Sequence, residues 1–150
     1  MIRVERDSAF WVRIAGHPEV LPHLMGVSLE VVETLVQHEK VIPLASENGG
    51  YLFTRIDGFG RVLELHSMFT PQGRGREAHR AGCEALERLF PDHCAVLTYE
   101  VQGNPLSRPP KSFGFKPLED FRETEVATVR TWILTREAWE QSPARQRMRA

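Results

Sequence analysis

Cysteine is scarce in this sequence, with two residues in a chain of 150. Cys83 and Cys94 do not form a C-x-x-C pair, and no secretory leader is visible at the N-terminus. These features exclude a disulfide framework and predict a cytoplasmic protein in a reducing environment. No apolar run approaches the length of a transmembrane helix, and the histidines lack metal-ligand spacing, so we predict neither a membrane span nor a metal site.

An excess of charge of one sign is also missing, because 19 basic residues oppose 20 acidic residues for a formal net charge of -1. Nothing global therefore favours nucleic acid or an anionic membrane surface as a partner. At 41% hydrophobic residues, the chain can bury one core, and we predict a single domain over residues 1–141. Residues 142–150 carry arginines but no acid and no apolar periodicity, which predicts a basic, disordered tail. A nucleic-acid-binding or partner-binding arm is the alternative for this tail.

The chain divides into three stretches by pattern. Residues 1–40 suggest a short strand at 2–5 and helices, one capped by Asp7 or Ser8 and a second opened by Pro18. Strands are predicted at 41–45, 51–56 and 61–69, separated by the turns Glu47-Asn48-Gly49-Gly50 and Asp57-Gly58-Phe59-Gly60. A helix at 74–90, a strand at 94–101, a proline-interrupted segment at 104–112 and two strands at 122–130 and 131–135 follow. This order predicts a mixed α/β fold with an antiparallel meander followed by strand, turn, helix and strand.

Two of the eleven glycines, Gly73 and Gly75, lie where the strand at 61–69 leads into the helix at 74–90, and residues 72–78 read Gln-Gly-Arg-Gly-Arg-Glu-Ala. Glycines let the main chain approach a bound group, and the first N–H groups of the helix point at negative charge. A phosphate-bearing ligand is therefore predicted, although a tight structural connection is an equally good interpretation of an isolated Gly-x-Gly. A dinucleotide-binding fingerprint would also fit, with Glu100 as its acid, but that fold opens with the fingerprint. A Walker phosphate loop is excluded, since no G-x-x-x-x-G-K-[ST] occurs.

The order of elements over residues 41–135 and two motifs resemble the GCN5-related N-acetyltransferase (GNAT) family. In that family a Q/R-x-x-G-x-G/A turn binds the pyrophosphate of acetyl-CoA. The segment from Gln72 through Gly73, Arg74, Gly75 and Arg76 fits this turn, but Glu77 stands where Gly or Ala is usual, and Ala78 comes one residue late. There is also a looser similarity to GNAT-like proteins of phages and prophages.

The second motif of the resemblance is a short Asn-initiated helix that ends in Gly-Phe, after the next strand. Asn104, Ser107 and Gly114-Phe115 resemble its start and end, and the resemblance adds Asn104 and Ser107 to the cofactor-binding residues. The tyrosine that protonates the leaving CoA thiolate in many family members would fall near Pro110, so that acid is missing from its usual place.

Strand alternation places Glu64 and His66 on one face of the strand at 61–69. Acyl transfer to an amine needs a base, and a histidine can gain or lose a proton near neutral pH while a neighbouring carboxylate orients it. We predict Glu64 or His66 as the base, and Tyr99, on the following strand, as the replacement acid. A polar pair satisfied within the fold, and an aromatic side chain in the sheet-helix interface, are the structural alternatives.

The resemblance implies an acetyl-CoA-dependent N-acetyltransferase that acetylates an amine in a direct ternary complex. The backbone of Ser67, Met68 and Phe69 would hold the pantetheine and the thioester oxygen, and residues 73–78 the pyrophosphate. The acceptor is an unidentified small-molecule or peptide amine. The resemblance leaves the choice between a monomer and a homodimer undecided. A non-catalytic GNAT-like binding or interaction module is the competing hypothesis, and another nucleotide-binding protein is the third.

Overall fold

The structure, a computed structural model, describes residues 1–150. Its strands and helices, in chain order, are β1 (Arg3–Val4), α1 (Ser8–Ala15), α2 (Leu29–Leu35), β2 (Val41–Ser46), β3 (Gly49–Ile56), β4 (Phe59–Phe69), α3 (Arg76–Leu89), β5 (Ala95–Val101), β6 (Lys116–Pro117), β7 (Arg122–Glu123), β8 (Thr128–Thr135), α4 (Arg136–Glu140) and α5 (Pro143–Met148). The strands form one sheet in the order β1-β2-β3-β4-β5-β8-β6, and β7 also pairs with β8. The predicted mixed α/β class is confirmed. None of the helices has the length and apolar character needed to cross a membrane.

The chain forms two compact units, one of Met1–Arg55 with Leu65–Ala85 and the other of Ile56–Glu64 with Leu86–Ala150. The single domain predicted for residues 1–141 stays a prediction.

The first helices of the first unit begin at side-chain caps. Asp7 accepts a hydrogen bond from the N–H of Ala9 at the start of α1, as predicted, and Ser28 accepts one from the N–H of Val31 at the start of α2. The helix predicted to open at Pro18 is wrong, because the chain there forms only a 3₁₀ turn at Leu21–His23. The backbone then turns through positive φ at Met25 and Gly26, so the second α-helix starts later.

The core of the first unit lies between these helices and the strands β2, β3 and β4. Buried apolar side chains from both layers contact one another there, and they include Trp11, Ile14, Val32, Val36, Val41, Leu52 and Met68. β2 and β3 are antiparallel and paired from Val41 with Thr54 to Ser46 with Gly49. The predicted strands are confirmed but longer, because the two glycines assigned to the turn continue the ladder opposite Ala45 and Ser46.

In the second unit, the parallel pair β4-β5 has Val62 beside Ala95 and Glu64 beside Leu97. β8 runs antiparallel to β5 along its whole length, from Ala95 with Thr135 to Val101 with Val129. The prediction of two strands at 122–130 and 131–135 is wrong. One strand spans this boundary, because residues 130 and 131 carry no turn signal and both pair with β5.

The C-terminal segment is ordered, so the disordered tail predicted for residues 142–150 is wrong for most of its length. Ser142 accepts a hydrogen bond from the N–H of Arg145 and caps α5, and Ala144 is buried. Arg145 Nε donates to Glu87 Oε1 at 2.6 Å, and Glu87 also accepts from the indole of Trp139. Partial burial acts to raise the pKa of Glu87, but these hydrogen bonds outweigh it and hold the pKa below its usual value.

Candidate functional site

The glycine-rich turn joins the end of β4 to α3 through a 3₁₀ turn at Pro71–Gly73. Gly75 has φ of 87°, a left-handed conformation that glycine adopts at no steric cost. The first helical hydrogen bond at this end runs from the N–H of His79 to the carbonyl of Gly75 at 2.9 Å. The N–H groups of Arg76, Glu77 and Ala78 therefore have no intrahelical acceptor, and this helix end can bind an anion.

Gly73 is needed for packing as well as for the turn. It is buried, and a Cβ added there would lie 2.8 Å from Asn48 Cβ and 2.9 Å from Phe69 Cδ1. The carbonyl of Asn48 accepts hydrogen bonds from the N–H and the hydroxyl of Thr70, at 3.0 and 3.2 Å. The turn is thus held directly against the β2-β3 connection.

Glu77, the residue that departs from the GNAT pattern, makes a second tie to the same connection. Its two oxygens accept from the backbone N–H and the side-chain Nδ2 of Asn48, each at 2.8 Å. Partial burial acts to raise the pKa of Glu77, but the hydrogen bonds from Asn48 and Ser46 outweigh it and hold the pKa below its usual value. Glu77 therefore stabilises the contact between the start of α3 and the β2-β3 connection.

The polar side chains of the turn differ in what they contact. Gln72 and Arg76 are exposed, whereas Arg74 is half-buried and its Nη2 donates to the carbonyl of Glu19 at 2.7 Å. A surface pocket of about 440 Å³ opens beside these residues. Its lining consists of Met1, Ile2, Ser46, Glu47, Gln72, Arg74, Arg76, Glu77, Arg80, Ala81 and Glu84.

The second unit brings Glu64 and Tyr99 together. Glu64 lies beside Leu97 in the parallel ladder, and alternation puts Tyr99 on the same face of β5 as Leu97. The Tyr99 hydroxyl donates to Glu64 Oε2 at 3.1 Å. Burial, followed by the negative charge of Glu64 and this hydrogen bond, raises the pKa of Tyr99 to about 12.

The other β4 residues that were predicted to act in catalysis or to bind the cofactor are partly exposed and partly buried. His66 and Ser67 are exposed. The side chain of Met68 belongs to the core of the first unit, and the buried Phe69 ring packs edge-on against Tyr51 at a centroid distance of 5.2 Å. The side chains of Met68 and Phe69 are thus used in packing, and only their backbone groups stay candidates for ligand contact.

Asn104 and Ser107 shape the turn that follows β5. Asn104 Oδ1 accepts from the N–H of Leu106 at 3.1 Å, and Ser107 Oγ accepts from the N–H of Val101 at 2.8 Å and donates to the carbonyl of Asn104 at 2.7 Å. Both side chains thus bond within their own loop. Instead of an α-helix, the chain beyond them forms a 3₁₀ turn at Lys111–Phe113, consistent with the two prolines that precede it.

Sequence reasoning missed the role of Glu100, a carboxylate that is 3% exposed on β5. It accepts hydrogen bonds from Arg108, Arg130 and the indole of Trp132, at 3.0, 2.8 and 2.9 Å. Burial acts to raise the pKa of Glu100, but these donors outweigh it and hold the pKa below its usual value. Glu100 alternates with Tyr99 along the strand, so Glu100 binds the buried network while Tyr99 faces Glu64. Arg130 and Trp132 lie 30 and 32 residues from Glu100 in the chain, and no motif links the three donors to this carboxylate.

The structure has no group of three or more His, Cys, Asp or Glu side chains placed to hold a metal ion. Cys83 and Cys94 do not form a disulfide.

No family model matches the sequence, and no curated protein matches it. Solved structures do match. A spermidine N-acetyltransferase from Vibrio cholerae, in complex with CoA and spermine, is 16% identical with a TM-score of 0.69, and the match covers 93% of this chain and 96% of the other. AAC(6')-Ib in complex with ribostamycin and coenzyme A is 16% identical with a TM-score of 0.73, over 94% and 96% of the two chains. RimJ from Mycobacterium smegmatis, in complex with CoA-disulfide, is 17% identical with a TM-score of 0.71, over 99% and 87%.

Proposed function

Because this chain has the fold of the GNAT acetyltransferases, we propose that it transfers the acetyl group of acetyl-CoA to an amine in a direct ternary complex. The observation that carries the proposal is the hydrogen bond from Tyr99 to Glu64, a potential acid and a potential base on neighbouring strands. Glu64 also lies on the strand that leads into the anion-binding turn.

The proposed reaction needs two proton transfers. The neutral amine attacks the thioester carbonyl carbon, a C–N bond forms, and the C–S bond breaks. The proton lost by the amine passes to a base, and the departing CoA thiolate takes up a proton from an acid. Products are the acetylated amine and CoA thiol.

Glu64 is the first candidate for the base, acting directly or through one water, and the exposed His66 is the second. Tyr99 is the candidate for the acid. With a pKa of about 12 its hydroxyl is protonated at neutral pH and can donate. In the proposed reaction the Tyr99 hydroxyl breaks its hydrogen bond to Glu64 and donates its proton to the departing CoA thiolate.

Acetyl-CoA would be held mainly by main-chain groups. The N–H groups of residues 76–78 and the side chain of Gln72 would bind the pyrophosphate, and the backbone of residues 67–69 the pantetheine. Asn104 and Ser107 stay candidates for cofactor contact from the resemblance alone, and their side chains also bond within their own loop.

For the acceptor we propose a small-molecule amine. Two of the similar structures contain such compounds, spermine in one case and ribostamycin in the other. A peptide amine stays an alternative. We propose a cytoplasmic location, because Cys83 and Cys94 form no disulfide.

A non-catalytic GNAT-like module is the second candidate. It is favoured by Pro110, which stands near the place of the usual tyrosine acid, and by the existing bond between Tyr99 and Glu64. That bond would be purely structural in such a module.

Calorimetry with acetyl-CoA, CoA and NAD tests the ligand, and release of CoA thiol with a panel of amines, polyamines and peptides tests catalysis. The proposal fails if neither CoA species binds. If acetyl-CoA binds but no acceptor releases thiol, the non-catalytic module is preferred.

Variants then test the proposed roles. Removal of a general acid or base typically costs about 10²- to 10⁴-fold in rate. We therefore expect Tyr99→Phe and Glu64→Gln each to lower kcat by at least about tenfold while KM for acetyl-CoA changes little. Glu33→Gln, at an exposed position on α2, is the control for loss of a carboxylate. Rates across pH that are unchanged in both Glu64→Gln and His66→Ala would exclude this pair from the mechanism.

A further inference from the structure

The connection between β6 and β7 lies beside the candidate acid Tyr99 on one face of the sheet. Tyr99 pairs with Thr131 in the antiparallel ladder of β5 and β8, so the two side chains share a face. Thr131 Oγ1 donates to Glu119 Oε1 at 3.1 Å, and the N–H of Leu118 donates to the carbonyl of Thr131 at 2.9 Å. Glu119 is therefore held on the same face as Tyr99 and next to it.

Arg122 forms an ion pair with Glu119 on this face. Its Nε donates to Glu119 Oε1 at 2.7 Å, the same oxygen that accepts from Thr131. Arg122 also pairs with Val129, which lies two residues before Thr131 on β8 and therefore on the same face. The ion pair thus has a defined position relative to β8.

The opposite face of the sheet anchors the same segment a second time. The guanidinium of Arg130 lies over the ring of Phe121, 4.4 Å from its centroid, and donates to the buried Glu100 at 2.8 Å. Phe121 is the residue before Arg122. The segment that carries Glu119 and Arg122 is therefore attached to β8 on both sides.

Charged groups from three elements act on Tyr99. They are Glu64 of β4, Glu119 of the β6-β7 connection and Arg122 of β7. Burial is the largest cause of the raised pKa of Tyr99, the two carboxylates add to it, and Arg122 acts in the opposite direction. Removal of either member of the ion pair should therefore change the electrostatic field at the Tyr99 hydroxyl, with opposite signs.

We propose that Glu119 and Arg122 are positioning residues that control proton release from Tyr99, an inference that rests on the proposed function. In that reaction the O–H bond of Tyr99 breaks, an S–H bond forms on the departing CoA thiolate, and a phenolate is left. The phenolate then takes up the proton that the base received from the amine. Because negative charge develops on Tyr99 during the transfer, Arg122 stabilises the transition state and Glu119 opposes it.

Tyr99 can be observed separately, because the chain has only two tyrosines. A Tyr51→Phe protein produced with 3-fluorotyrosine carries the fluorine at position 99 alone. Fluorine makes the phenol more acidic, so ¹⁹F NMR can follow its ionisation at moderately alkaline pH.

We expect the midpoint of this titration to rise by about half a pH unit in Arg122→Gln and to fall by about the same amount in Glu119→Gln. Arg122→Lys keeps the positive charge and should keep the midpoint. Glu123→Gln is the matched control for loss of an exposed carboxylate, because alternation places Glu123 on the opposite face of the sheet from Arg122.

The rates of CoA thiol release should follow the midpoints. Arg122→Gln should lower kcat about two- to threefold while KM for acetyl-CoA is unchanged, and Arg122→Lys should restore it. Glu119→Gln should raise kcat by a similar factor. A purely structural ion pair would instead give both variants the same direction of change.

The inference is overturned if Arg122→Gln and Glu119→Gln, both folded with a wild-type melting temperature, move the midpoint in the same direction or leave it unchanged. It is also overturned if the midpoints move apart while kcat of an active enzyme stays the same in both variants. Failure of the proposed function gives a different result. The wild type then releases no CoA thiol with any acceptor, whereas opposite shifts of the midpoint still support control of the Tyr99 proton by this pair.

Discussion

Glu77 is the position where this chain departs from the GNAT turn, and its replacement separates a structural role from a defect in ligand binding. Glu77→Ala would match the usual small residue. It would also remove both hydrogen bonds to Asn48, one of which comes from a backbone N–H. We expect the protein to lose stability while its affinity for CoA does not fall.

The magnitude follows from the two hydrogen bonds. A hydrogen bond to a charged group contributes about 1.5–3 kcal/mol when it is buried. Because Glu77 is half-exposed, we take about 1 kcal/mol for each bond, or about 2 kcal/mol in total. In a domain of this size that corresponds to a fall of about 4–8 °C in melting temperature. Glu77→Gln keeps an acceptor for one of the two donors, so about half of this loss is expected.

Acid pH gives a second measurement of the same interaction. The hydrogen bonds from Asn48 and Ser46 hold the pKa of Glu77 in the folded protein below the usual value for a glutamate. The stabilisation is therefore fully present above that value and is lost as pH falls through the folded pKa. The melting temperatures of the wild type and Glu77→Gln should differ by a constant amount from about pH 6 to pH 8. The difference should shrink as pH falls below the unfolded pKa and disappear below the folded pKa.

Two results would refute this account. One is a wild-type melting temperature at neutral pH in both Glu77→Ala and Glu77→Gln. The other is unchanged stability with a large gain in CoA affinity, since that would mean that the carboxylate only obstructs the anion site.

Two further predictions concern packing. Gly73→Ala should cost about 1–3 kcal/mol, because the added Cβ would lie 2.8 Å from Asn48 Cβ; Gly60→Ala, with no atom within 4 Å of the added Cβ, is the control in thermal unfolding. Deletion of residues 142–150 should lower the melting temperature because it removes α5 with its buried Ala144. Deletion of residues 149–150 alone should change it little, and equal melting temperatures for both truncations would support the disordered tail instead.

Local patterns predicted most of the regular structure. The alternation along residues 61–69 and the turn glycines on either side identify a strand between two connections, and β4 is there. Asp7 is a polar residue before an apolar helical segment, and it caps α1. Such signals act over a few residues, and a single sequence contains them completely.

Where the predictions from the sequence were wrong or incomplete, the structure shows contacts between residues that are distant in the chain. Residues 143–148 have no apolar periodicity, yet they form a helix that Ser142 caps. The hydrogen bond from Arg145 to Glu87, 58 residues away in the chain, holds this helix against α3. Glu77 is an anomaly in the motif until Asn48 is seen to donate two hydrogen bonds to it.

In the candidate site, too, some features follow from local sequence and others from contacts between distant segments. The sequence by itself determined the order of strand, glycine-rich turn and helix, because period, turn propensity and helix-end chemistry are local properties. It also placed Glu64 and His66 on one face of their strand. Only the tertiary structure decided that Glu64 bonds Tyr99, since that pair follows from the register of two parallel strands. The tertiary structure likewise decided that Arg76 and Arg80 share one pocket with Glu47, because the walls of that pocket come from three segments of the chain. Register and pocket walls depend on which distant segments meet, and no local pattern contains that information.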